Sequence, residues 1–243
     1  MRFARYFKMS TDTRKRQFLR GMKAGVPVIL GFVPVGIAYA IMARRAGFSV
    51  AETCYMSASV FAGASQMMVV ERFTQGAGIF AMIAATFILN LRHVIMGICV
   101  GNKMKPASLL ARLLAGFGVT DEGFAIFTTE KEENSTVSFY LGLTLVTYLS
   151  WVVGTFLGAV MSGFLPELVS ASLGVSLYAM FIGLLVPNLR GNFRLFLLVV
   201  FAAVCNTILS KVMDPSTALV VSTLLGAFIG VFFVRFEGEE NEH

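Results

Sequence analysis

The chain has 243 residues, of which 56% are hydrophobic and 14% charged, against about 25% charged in ordinary soluble domains. With a mean hydropathy of +0.76, this excludes a soluble globular domain and predicts an all-α polytopic membrane protein whose solvent is the lipid bilayer. A net charge of +6 would suit a nucleic-acid partner, but eight of the twenty basic residues lie between Arg2 and Lys23, ahead of the first apolar segment. Placed there they read as a topology signal, and no nucleic acid is expected.

The expected layout is a basic N-terminal segment (1–24), one transmembrane transport domain (25–236) and a short acidic tail (237–243). No short apolar region with a small-residue cleavage site follows the basic stretch, so it does not read as a secretory signal peptide. The N-terminus is expected in the cytoplasm. Spanning a core of about 30 Å takes about 20 apolar residues. The segments that qualify are 25–43, 50–70, 77–100, 107–129, 138–164, 169–187, 195–211 and 216–235.

The first segment carries Gly25, Pro27, Gly31, Pro34 and Gly36, the composition of a broken or re-entrant element, because internal prolines remove backbone hydrogen bonds. A kinked continuous helix is the other reading. The second segment holds Ala62-Gly63-Ala64-Ser65-Gln66. These small residues let backbones approach closely, and the Gln66 amide must find a partner in hydrocarbon. Packing and substrate contact are both open for Gly63, Ser65 and Gln66, and a helix break there would expose backbone groups to a ligand.

The third segment contains Asn90, Arg92 and His93. An arginine at a bilayer centre disfavours insertion by about 2.5 to 3.5 kcal/mol, and its rigid fork matches a carboxylate. Its partner is an internal acid or a substrate carboxylate; snorkelling to the headgroups is opposed by the apolar run Val94 to Val100. His93 is a proton carrier or a structural hydrogen-bonder. The fourth segment reads Gly-Phe-Gly-Val-Thr-Asp-Glu-Gly-Phe over 116–124, so helix continuity is doubtful where Thr120, Asp121 and Glu122 fall. Adjacent helical residues point about 100° apart. One acid is therefore expected to meet Arg92 while the other meets a proton or an ammonium.

Further on, Ser150-Trp151 with Gly154 and Gly158 reads as a glycine packing seam. Asn206 and Thr207 are the polar residues of the seventh segment. If all eight segments crossed, Arg44, Arg45, Lys103, Lys105 and Arg112 would lie outside, against the positive-inside rule. If the first segment turns back, those clusters become cytoplasmic while the acidic loop 130–133 and the tail face out. Charge thus predicts about seven transmembrane helices plus a broken or re-entrant first segment, with the C-terminus periplasmic.

No cofactor or metal is expected. Cys54, Cys99 and Cys205 have no CxxC spacing and read as buried, inert thiols, and only two histidines occur. No nucleotide-binding glycine loop is present. Nor are paired intramembrane aspartates, an HExxH or a Gly-x-Ser-x-Gly elbow, so the chain is not expected to be an enzyme. A fixed cation, nearby carboxylates and small or amide residues inside an apolar bundle would suit a zwitterion with an apolar side chain.

Five stretches resemble, in order and spacing, signatures of one family: Phe61 to Met67 (FAGASQM), Asn90 to Gly97 (NLRHVIMG), Gly118 to Ala125 (GVTDEGFA), Ser150 to Gly158 (SWVVGTFLG) and Ala179 to Pro187 (AMFIGLLVP). The chain resembles the large subunit of AzlC-type branched-chain amino-acid exporters from about Gly25 to the end of the last span. Met67 stands where that pattern has phenylalanine, and Tyr178 where it often has proline. The resemblance implies a secondary transporter exporting valine, leucine, isoleucine or close analogues across a bacterial inner membrane, with a small hydrophobic membrane subunit as partner. Substrate-binding roles for Gly63, Ser65, Gln66, Asn90, Arg92, Thr120, Asp121 and Glu122, and proton coupling by His93, Asp121 or Glu122, are expectations from the residues alone. The alternative is a channel-like or differently selective permease for amino acids or small zwitterions.

Overall fold

The computed structural model describes residues 11–104, 108–131, 134–164, 182, 185–186, 189–190, 192–213 and 215–233. Among them every regular element is helical. They fall into two compact units, Met1–Gly78 with Asn90–Met180, and Ile79–Leu89 with Phe181–His243. The expected span 169–187 with the motif at 179–187, residues 1–10 and the tail 237–243 lie wholly or mostly outside the described residues.

The first unit is built on two helices, α1 (Thr11–Arg45) and, later in the chain, α7 (Val137–Met161). α1 contains Pro27 and Pro34 yet is one continuous helix of 35 residues, which corrects the expectation of a broken or re-entrant first segment. Neighbouring helices stabilise proline within a membrane helix, and here the neighbour is very close. Gly21 lies against the backbone of Phe139, Gly36 against Trp151 and Thr155, Gly142 against Phe18, and Gly154 against Val33. The pairs ascend together along both helices, so α1 and α7 run parallel. They start at one face of the unit, the N face, and end at the other, the C face.

The interruptions fall instead in the second and fourth segments. α2 (Val50–Val60) opens with a capping box, in which the Ser49 hydroxyl accepts from the Glu52 N–H and the Glu52 carboxylate accepts from the Ser49 N–H. It stops at Phe61, whose φ of 43° is left-handed, a conformation that closes helices but strains a bulky residue. After Ala62, α3 (Gly63–Thr74) begins. α2 descends along α1 from the C face: the Tyr39 hydroxyl reaches the Thr53 carbonyl at 3.5 Å, and Phe61 meets Phe32 at 6.3 Å. α3 then returns, because Gly63 lies against Trp151 while Phe73 is back at Phe48, 5.0 Å away.

The fourth segment does the same from the opposite face. α4 (Ile79–Lys103) ends at the N face, where Lys103 donates to the Thr128 and Glu130 carbonyls. α5 (Leu109–Phe117) enters beside α7, with the Ala115 carbonyl near the Tyr140 hydroxyl and Gly118 against Thr144. The chain breaks at Gly118-Val119-Thr120, and α6 (Asp121–Thr129) leads back to Phe139 and Arg20 at the N face. The legs of the two hairpins have 11 and 12, then 9 and 9 residues. At 1.5 Å per residue each is roughly 14 to 18 Å long, about half of a 30 Å core.

Each hairpin has its own buried core. Hairpin 1 packs Phe61 and Val70 with Phe32, Tyr39, Ala43 and Trp151. Hairpin 2 packs Val119 and Phe127 with Met96, Val100, Tyr140 and Leu143. The second and fourth segments are therefore helical hairpins among the described residues, and the expected count of about seven, which included both as crossings, is not confirmed. Among the described residues three helices are long and apolar enough to span, over Thr13–Arg45, Ile79–Lys103 and Val137–Met161.

Glu130 is also relocated. It pairs with Arg20 at 3.1 Å, at the N face beside the basic end of α1 rather than opposite it. The periplasmic C-terminus inferred from charge rested on the first segment turning back, a premise that the continuous α1 removes.

The second unit contains α8 (Phe193–Leu209) and α9 (Pro215–Phe233). The Asn192 side chain caps α8 by accepting from the Leu195 N–H, and Gly230 of α9 lies against Leu198. Asn206 accepts from Ser222 at 3.5 Å and Thr207 donates to the Ala203 carbonyl, so both are engaged within the helix pair. Among the three free cysteines Cys99 is exposed and the others half-buried, not buried as expected.

Hairpin geometry makes a labelling prediction. In a background without Cys54, Cys99 and Cys205, Ala51→Cys and Gln75→Cys are expected to react with an impermeant maleimide from one side of the membrane. Asn102→Cys and Lys131→Cys should react only from the other. Reaction of positions 51 and 75 from opposite sides would show that the second segment crosses.

Candidate functional site

The two hairpin tips bring the N-terminal ends of α3 and α6 to the middle of the unit, facing the centre of α4. Asn90 of α4 accepts from the Ser65 hydroxyl in the first turn of α3 at 2.8 Å. Two residues on, Arg92 Nη1 lies 3.1 Å from a carboxylate oxygen of Asp121, the first residue of α6. Arg92 is 11 residues from the end of α4 at Lys103, roughly 16 Å along the helix. It is paired at depth and does not snorkel. Its Nε and His93 Nδ1 have no hydrogen-bond partner among the described residues although both atoms are buried.

Local sequence explains why α6 starts here. Thr120 is extended, and its hydroxyl accepts from the Gly123 N–H at 3.1 Å, an N-cap that begins the helix at the acids. Carboxylates in a first turn face the positive end of the helix dipole. Asp121 turns to Arg92, whereas Glu122 is buried at 4% exposure. Asp121 is thus the acid that meets Arg92, and Glu122 points elsewhere. α3 is different: Ala62 provides no side-chain cap, so the first-turn N–H groups of α3 receive no side-chain oxygen from the residue before them.

Gln66 is engaged inside the protein through both its amide nitrogen and its amide oxygen. Its Nε2 donates to the Ser57 hydroxyl at 3.0 Å and its Oε1 accepts from Trp151 Nε1 at 3.0 Å. Ser57 in turn bonds Thr155 at 2.8 Å. This network clamps hairpin 1 to α7, and Gly63 is a glycine because the Trp151 ring leaves no room for a Cβ there. Sequence reasoning missed Ser57, Tyr148 and Thr155 as members of this region. The lone tryptophan in a glycine seam was the available signal. Gly154 and Gly158 are packing residues, as expected, against Val33 and Ile37. Among the described residues no cluster of His, Cys, Asp and Glu could hold a metal ion.

The family model described as AzlC protein matches residues 27–165, more than half of the chain. The chain belongs to the AzlC family. The matched stretch runs from the first proline of α1 through both hairpins and α4 to just beyond α7, so the whole site lies inside the AzlC region. An uncharacterized membrane protein of Archaeoglobus fulgidus is 34% identical over 189 residues, covering 76% of this chain and 81% of that protein. Inner membrane protein YgaZ of Escherichia coli is 29% identical over 180 residues, 71% of this chain and 74% of its own length. The branched-chain amino acid transport protein AzlC of Bacillus subtilis is 31% identical over 142 residues, 57% and 55% of the two chains. No solved structure matches. Together with its apolar helices, AzlC membership makes this a multi-pass membrane protein with a role in transport.

Proposed function

We propose that this AzlC protein is the large subunit of a secondary transporter that exports branched-chain amino acids across the bacterial inner membrane, working with a small hydrophobic membrane subunit. The observation that carries the reading is the Arg92–Asp121 pair set where two half-helices begin, beside a bilayer-spanning α4. Half-helix N-termini and a guanidinium favour a carboxylate. The substrate carboxylate would meet Arg92 and the uncapped start of α3 near Gly63, with Ser65 and Asn90 alongside. The ammonium would meet Asp121 or Glu122, positioned by Thr120, and Gln66 holds the α3 tip in place. Protons would pass through His93, Asp121 or Glu122.

The N face carries Arg14, Lys15, Arg16, Arg20, Lys23, Lys103 and Lys131 with Glu130, whereas the C face carries Arg44, Arg45 and Arg72 with Glu52 and Glu71. By the positive-inside rule the N face is cytoplasmic. On α4, Leu91, Val94, Ile95 and Ile98 are left exposed, a stripe suited to lipid or to the small subunit.

The test is efflux of leucine from vesicles holding the chain with and without its small subunit. Saturable efflux that needs both chains and responds to an imposed pH gradient is expected. Efflux no faster than from empty vesicles with both subunits present would end the reading, and conductance far above carrier turnover would make the protein a channel.

A further inference from the structure

Tyr148 of α7 lies where the two hairpin tips approach. Its ring is 5.1 Å from that of Phe61, the left-handed residue closing α2, in an edge-to-face arrangement. On the other hairpin it is 6.0 Å from the ring of Phe117, the last residue of α5. Its hydroxyl donates at 2.8 Å to the Ala58 carbonyl in the last turn of α2, one of the acceptors that a helix end leaves unsatisfied. One side chain thus touches both interruptions, one entering from each face.

From this juxtaposition we infer that Tyr148 is a positioning residue that couples the two hairpins, so that displacement of hairpin 2 is transmitted to hairpin 1. The inference rests on the transport reading for its use in the cycle, but the contact itself does not. The edge-to-face pair with Phe61 holds a defined mutual orientation, the Phe117 ring packs at a tilt of 57°, and a packed contact between two interrupted helices moves as a unit instead of deforming continuously. Hairpin 2 carries Asp121, which pairs with Arg92. Hairpin 1 carries Ser65, which pairs with Asn90. A linkage between the tips lets a change at the acids reach the uncapped start of α3.

The protein contains its own reporter. Trp151 is the single tryptophan of the chain, and it projects from α7 onto hairpin 1, stacked 6.1 Å from Tyr39 and bonded to Gln66. A methyl added at Gly118 would come within 2.1 Å of the Thr144 side chain, so Gly118→Ala displaces the hairpin 2 tip without any substrate or change of charge. In the full chain in detergent, Gly118→Ala is expected to shift Trp151 emission. The shift should persist in a Tyr148→Phe background, which keeps both ring contacts, and vanish in Tyr148→Leu. Phe117→Leu breaks the link from the other side and should abolish the shift as well, which keeps the test decisive if Tyr148→Leu does not assemble.

An equal shift in all backgrounds, or none in the native one, overturns the coupling, and so does its loss in Tyr148→Phe. Efflux adds a second readout: Tyr148→Leu is expected to lower kcat roughly tenfold, about 1.4 kcal/mol of barrier, with KM little changed and activity restored in Tyr148→Phe. A failed efflux assay with a positive emission cycle would remove the transport reading and leave the coupling standing.

Discussion

Arg92→Ala is expected to abolish amino-acid efflux and also to lower membrane abundance, while the double variant Arg92→Ala/Asp121→Asn recovers abundance without recovering efflux. The logic is that of a charge pair inside an apolar bundle. Removing one partner of a fully buried pair costs about 3 to 5 kcal/mol because the other charge is left uncompensated. Here the side chains are 38% and 28% exposed, which places the destabilisation at the lower end or below. Neutralising Asp121 in the same molecule removes the orphaned charge, so folding is restored through the non-additivity expected of contacting residues. Efflux is not restored, because the guanidinium proposed to face the substrate carboxylate is gone. Asp121→Asn alone should also abolish efflux. Abundance measured by quantitative blotting, beside protection of cells from a toxic branched-chain analogue, separates the two effects. Protection by both single variants at normal abundance would show that neither residue belongs to the site.

Arg92 was legible in the sequence because an arginine amid apolar residues demands a counter-charge, and the nearest acids along the chain that fall within an apolar segment were Asp121 and Glu122. The pair exists at 3.1 Å. The interrupted helix of the fourth segment was legible for the same reason, from its three glycines and two acids. What misled was proline. Pro27 and Pro34 marked the first segment as broken, whereas an uninterrupted helix accommodates them against the backbone of α7.

The break in the second segment sits at Phe61, a residue with no intrinsic preference for the left-handed region. Its conformation is set by packing against Phe32 and Tyr148. The small residues from Ala62 to Ser65 allowed a helix break there, but local composition does not place it at Phe61. Charge required a re-entrant element to reconcile Arg44, Arg45, Lys103 and Lys105 with the positive-inside rule, and the prolines of the first segment drew that role away from the second and fourth. Those two segments turn back, from opposite faces. This leaves Arg44 and Arg45 at the opposite face from Lys103.

The scaffold that holds both hairpins predicts the largest structural effect. Gly142→Ala is expected to prevent assembly, because the added Cβ would lie 2.1 Å from the Phe18 carbonyl oxygen and 3.1 Å from the Met22 nitrogen. Overpacking within a core typically costs about 1 to 3 kcal/mol when side chains can yield. Neither of these atoms belongs to a side chain, so α1 and α7 must separate along their length. Separation at this level also strips Gly21 from Phe139 and pulls Arg20 from Glu130, and the support of both hairpins goes with it. Gly154→Ala, 2.7 Å from the Val33 carbonyl oxygen, should be milder but in the same direction. Gly97→Ala and Gly116→Ala, whose added methyls would meet nothing within 4 Å, should leave stability unchanged or raise it by up to about 1 kcal/mol through helix propensity. Thermal unfolding in detergent followed by Trp151 emission ranks the four variants, and equal midpoints for Gly142→Ala and Gly97→Ala would refute the backbone-to-backbone contact of α1 and α7.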